Sequence, residues 1–88
     1  NMILKEIEGI VISVNKYLDN DNQVIKEYKI KISNDLSLDY HASYITDVLD
    51  VDWTIGQKVL VTYTIFNIDN QTSTWKIHYR IDKIQKGE

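Results

Sequence analysis

The chain has 88 residues, 43% hydrophobic and 26% charged, with no cysteine and a formal net charge of −3. That length predicts a single domain over 1–88 with one modest core, and the composition excludes a disordered tail. The lack of cysteine excludes a disulfide framework and thiol chemistry, the apolar runs fall short of the ~18 residues that span a bilayer, and the acidic balance argues against a generic, wholly basic nucleic-acid binder.

A small domain without disulfides is expected in a reducing cytoplasm, and no basic-then-apolar leader is read at the start. Asn1 ahead of Met2 reads as a cloning remnant. The wealth of Ile, Asn, Lys and Asp suggests an AT-rich bacterial genome or a mobile element. Ile, Val and Tyr suit a pleated, half-buried surface, and the single alanine, Ala42, argues against a helical protein.

Strand one is expected over 7–17, with Ile10, Ile12 and Val14 alternating with Val11, Ser13 and Asn15, and with Gly9 marking a bend or bulge. The polar turn 18–23 follows, rich in residues that bond their own backbone. Strand two (24–33) sets Tyr28, Ile30 and Ile32 against Glu27, Lys29 and Lys31, and after Asn34-Asp35 strand three (36–42) puts Leu36, Leu38, Tyr40 and Ala42 in register. From 43 to 52 the period changes: Tyr44, Val48 and Leu49 fall at helical spacing, Ser43 suits an N-cap and Asp47 suits the first turn, so one short helix is expected. A Gly56-Gln57 turn then opens strand four (58–68), with Val59, Val61, Tyr63 and Ile65 on one face. After a hairpin at 69–73, strand five (74–84) alternates Trp75, Ile77, Tyr79 and Ile81 with Lys76, His78, Arg80 and Asp82. Its register must then slip, as at a bulge, for Ile84 to turn inward.

This order, three strands, a short helix and two strands, predicts an all-β, five-stranded barrel. Gly56-Gln57-Lys58-Val59-Leu60-Val61 leading into strand four and Trp75-Lys76-Ile77 opening strand five resemble small bacterial and phage single-strand-binding-like domains of the oligonucleotide/oligosaccharide-binding (OB) type. The resemblance implies a closed barrel with one short helix between strands three and four, and a binding face on the outside of strands two and three. An SH3-like or other small β-barrel shares these signals.

Asp19-Asn20-Asp21-Asn22-Gln23 superficially resembles a calcium loop, but Val24 and Ile30 occupy the places of the required Gly and bidentate Glu, so a solvated hairpin is the better reading. Asp39, His41 and His78 are metal-ligand types without a metal-site spacing, and surface histidines are the favoured reading. No Gly-flanked serine elbow or glycine-rich phosphate loop occurs, so neither an enzyme nor a cofactor is expected. Asp47, Asp50 and Asp52 read as a solvated helix face rather than an acid–base pair.

Single-stranded nucleic acid is held by aromatic rings and by cations that follow its backbone. Tyr28, Tyr40, Tyr63, Trp75 and Tyr79 read as core, whereas Tyr17 and Phe66 are the best stacking candidates. Lys29 and Lys31 on strand two would contact phosphate, and Lys76 and Arg80 on strand five would extend the path; for any single lysine taken alone, a solubilising strand residue is slightly the better reading. The expected function is thus a non-catalytic binding module for single-stranded DNA or RNA. The alternative is a protein-interaction or self-assembly domain using outward Val11, Leu60 and Phe66. A third class, carbohydrate or small-molecule binding, would use Tyr44 and Trp53. No membrane partner is expected.

Overall fold

The computed structural model describes residues 2–43, 52–69 and 75–87, with the backbone alone at 43, 67–69, 75 and 76. The described residues form five strands: β1 (Met2–Leu18), β2 (Val24–Lys31), β3 (Ser37–Ser43), β4 (Lys58–Asp69) and β5 (Trp75–Lys86). They form one antiparallel sheet in the order β3-β2-β1-β4-β5, curled so strongly that its two edge strands approach each other as a half-barrel. The arrangement is all-β and compatible with an OB-like barrel. The helix expected at 43–52 falls on 44–51, outside the described residues.

β1 is the spine. Its first half, Met2 to Ile10, pairs with β4, and its second half, Ile10 to Leu18, pairs with β2. The strand is longer than its visible alternation, because Met2-Ile3-Leu4 is a continuous apolar run whose pairing with 64–66 is not a local signal. The inner face gathers the core: Val11, Tyr28, Ile30, Val59 and Val61 are fully buried, and Ile32, Leu38, Ala42, Trp53 and Tyr63 nearly so. Each buried Val, Ile or Leu among them contributes about 1.5–3 kcal/mol of transfer free energy.

Three expectations about facing need correction. Val11, expected outward, is fully buried, while Ile10 and Ile12 are 44% and 41% exposed. The phase is set by Ile7, Gly9 and Val11 lying opposite Val61, Val59 and Ile30; a bulge between Val11 and Ser13, with Ile12 as the extra residue, then inverts the alternation and sets Val14 opposite Tyr28. Trp53, considered for a ligand site near the helix, is only 6% exposed and belongs to the core. Tyr79, expected in the core, remains 39% exposed beyond the core's end, with its ring centroid 6.4 Å from that of Tyr63.

Gly9 has a steric role in the sheet. A Cβ there would lie 2.7 Å from Ile30 Cγ2 and 3.1 Å from the Lys31 carbonyl oxygen, so its bare backbone is what lets the end of β2 close onto β1. The turn at 54–57 is a type II turn: the Gln57 N–H donates to the Thr54 carbonyl at 3.0 Å, and Gly56 takes φ 94°. It docks on β1, with the Gly56 N–H donating to the Val11 carbonyl (2.8 Å) and the Val11 N–H donating to the Gln57 carbonyl (3.0 Å). In the β1–β2 hairpin, Asp19 Oδ1 accepts the backbone N–H groups of Asp21 and Gln23, both at 2.9 Å, and Asn22 adopts φ 60°. The register slip expected before Ile84 is present: Thr62 pairs with Lys83 and Tyr63 with Ile81, leaving Asp82 as the extra residue.

Candidate nucleic-acid interface

The expected face, the outside of β2 and β3, carries alternating charge. Lys29 and Lys31 are both exposed there. Lys29 lies directly opposite Asp39, its Nζ 4.0 Å from the carboxylate, and Glu27 lies opposite His41, whose Nε2 is 2.6 Å from Glu27 Oε2. Exposed pairs of this kind are worth only ~0.2–1 kcal/mol, so they leave Lys29 movable while cancelling much of its field. Asp39 and His41 thus engage neighbours across the strand rather than each other, and no cluster of three metal-ligand residues occurs among the described residues. Tyr17, 40% exposed, stands opposite Ile25 at the hairpin end of β1.

The outside of β4 and β5 is built differently. Phe66 and His78 are directly opposite and half-buried, with ring centroids 5.6 Å apart and planes within 20°. The Arg80 guanidinium carbon lies 6.0 Å from the Phe66 centroid, within cation–π range. Arg80 Nε–H donates to Asp82 Oδ1 at 2.9 Å, and the Thr64 hydroxyl donates to Asp82 Oδ2 at 2.6 Å. The bulge at Asp82 makes this possible by turning its carboxylate back over the strand pair. The Thr64 hydroxyl, with help from Arg80 and against some desolvation, holds the Asp82 carboxyl below its ordinary value. Thr64 itself is buried at 5% exposure. Lys76 pairs with Ile68 through its backbone, and its side chain is outside the described residues.

A third cluster was not legible in the sequence. Lys26 Nζ meets Asp52 Oδ1 at 2.8 Å. The hydrogen bond that Lys26 donates to Asp52 raises the Lys26 value and lowers that of Asp52. Asp52, read as part of a solvated acidic face, is 88% exposed at its side chain and still reaches β2 just before Trp53. The Trp53 N–H donates to the Tyr28 hydroxyl at 3.3 Å, and its ring packs on Tyr28 and Tyr40 with centroids 5.2 and 6.1 Å apart.

Of the six expected contact residues, the five with described side chains fall into two separate groups. Tyr17, Lys29 and Lys31 belong to the β1–β2–β3 half, and Phe66 and Arg80 to the β1–β4–β5 half; Tyr17 and Phe66 sit near opposite ends of the 17-residue β1. No family model matches the chain, and neither a curated protein nor a solved structure matches it. No helix among the described residues is long and apolar enough to cross a membrane.

Proposed function

We propose that this chain is a non-catalytic binding module of the OB type that takes single-stranded nucleic acid in a bacterial or mobile-element cytoplasm. The neighbour relations β1–β2, β2–β3, β1–β4 and β4–β5 are those such a barrel requires, leaving β3 and β5 as the seam to close. The observation that carries the reading is the grouping of Phe66, His78 and Arg80 on one sheet face, since stacked rings beside a cation are the two elements that hold an unpaired base and its phosphate. A net charge of −3 keeps the affinity modest and steeply salt-dependent. Anisotropy titration with labelled single-stranded DNA and RNA, at low and at physiological salt, tests it: binding that weakens with salt is expected, and no binding at low salt refutes it.

A second reading, a protein-assembly domain, is favoured by one observation. Met2 and Leu4, 73% and 68% exposed, share the outer face with Phe66. Val11 no longer contributes to that reading, being fully buried. A mass measurement across a concentration series distinguishes it, since self-assembly would appear as a dimer or larger species.

A further inference from the structure

We propose that the nucleic acid is held on the outer face of β4 and β5 rather than β2 and β3: the Phe66–His78 ring pair receives a base and Arg80 receives the adjoining phosphate. The inference rests on the single-strand-binding reading and adds the location and the division of labour.

Two features separate the faces. The first is support for the cation. Arg80 keeps 60% of its side chain exposed, yet its Nε is fixed on Asp82, which is itself held by the hydroxyl of buried Thr64. An arginine has five N–H donors, so engaging Nε leaves the four on the outer nitrogens for a phosphate. A guanidinium already held in place loses less freedom on binding than a loose lysine. Lys29, by contrast, has only a 4.0 Å contact with Asp39 and nothing that fixes its ammonium in place.

The second feature is apolar area beside the cation. In cross-strand rows, Met2 stands next to Phe66 and His78, and Leu4 next to Thr64 and Arg80. Their exposure extends the ring pair into a surface for a base. Tyr17 has no such ring partner among the described residues and lies at the far end of β1. Lys83, exposed opposite Thr62, provides a second cation in the next row, and Glu6 in that same row limits the path on the β1 side.

The test is the full chain titrated at low salt with fluorescein-labelled oligo-dT and oligo-rU, comparing the wild type with Arg80→Gln, His78→Ala and the Lys29→Glu/Lys31→Glu double variant. Thermal midpoints are measured alongside to show that each variant is folded. Arg80→Gln and His78→Ala are expected to weaken binding roughly tenfold each, in line with the cost of losing a stacked ring or a phosphate contact. The double variant is expected to weaken it by no more than the general effect of added acid, seen equally at any exposed site. If the double variant abolishes binding while Arg80→Gln and His78→Ala leave it intact, the location is wrong and the function stands. If the wild type binds neither oligomer at low salt, both fall.

Discussion

Lys26 and Asp52 meet at 2.8 Å although 26 residues separate them, and Trp53 enters the core at the next residue. Asp52 anchors the chain on β2, Trp53 covers the rings of Tyr28 and Tyr40, and the type II turn at 54–57 then docks on β1 beside its bulge. The second half of the sheet is thereby fixed against the first. Trp53→Ala is expected to destabilise the fold by about 3–5 kcal/mol, measured by urea unfolding. Asp52→Asn removes only an exposed partner, and its effect is expected to be much smaller. An equal loss from both would mean that the ion pair, not the indole, holds this junction.

The same contacts set a pH dependence. Asp52 and Asp82 are both held below the ordinary carboxylate value in the folded chain, by Lys26 and by Thr64 respectively. A carboxyl lowered by folding stabilises the protein above its unfolded value, and that contribution is lost as pH falls through the folded value. Stability is therefore expected to be level from neutral pH down to the ordinary carboxylate range and to fall below it. Lys26, raised by Asp52, contributes the mirror effect: its share is complete below 10.5 and disappears as pH rises through its higher folded value. In thermal melts across pH, the double variant Asp52→Asn/Asp82→Asn is expected to show a shallower acid-side slope than the wild type. An unchanged slope would mean that other groups carry the acid sensitivity.

Gly9 and Gly56 are required for different reasons, and alanine separates them. At Gly9 the new methyl meets Ile30 Cγ2 at 2.7 Å and the Lys31 carbonyl at 3.1 Å, so Gly9→Ala must push β2 away from β1 and is expected to cost about 1–3 kcal/mol. At Gly56 nothing lies within 4 Å, and the cost is the left-handed backbone at φ 94°, about 1–2 kcal/mol for an L-residue. Asparagine, which tolerates positive φ, is expected to recover part of the loss at 56 and none at 9. Recovery at both positions would contradict the steric account of Gly9.

Much of the architecture was written in local pattern. The alternation of Val59, Val61, Tyr63 and Ile65 marks the core face of β4, and the spacing of Ile81 and Ile84 demands the bulge found at Asp82. Features that depend on distant partners were not legible. Ile10, Val11 and Ile12 are all apolar, so composition does not reveal which one faces inward; the pairing of Val11 with Ile30 decides it. Trp53 sits between an acid and a turn, and only Tyr28 and Tyr40, brought there by β2 and β3, make its site a core. For the interface, residue type alone marks Phe66 and Arg80, but their union with His78 and Asp82 depends on the register of β4 on β5. Tyr17, Lys29 and Lys31 were grouped with them by analogy to a closed barrel, and the length of β1 keeps the two groups apart.

The exposed apolar end bears on association state. Leu4→Glu is expected to leave the thermal midpoint nearly unchanged, because Leu4 is 68% exposed and already outside the core. Sedimentation of the wild type is expected to give a monomer under the single-strand-binding account. A dimer dispersed by Leu4→Glu would instead favour the assembly reading.

The most direct measurement is an amide chemical-shift titration of the isotope-labelled wild-type chain with a short single-stranded oligonucleotide at low salt. The account predicts that the shifts concentrate at 62–66 on β4 and 78–83 on β5 and diminish as salt is added. Shifts concentrated at 25–31 and 37–41 would contradict the location, and no shifts at low salt would contradict nucleic-acid binding itself.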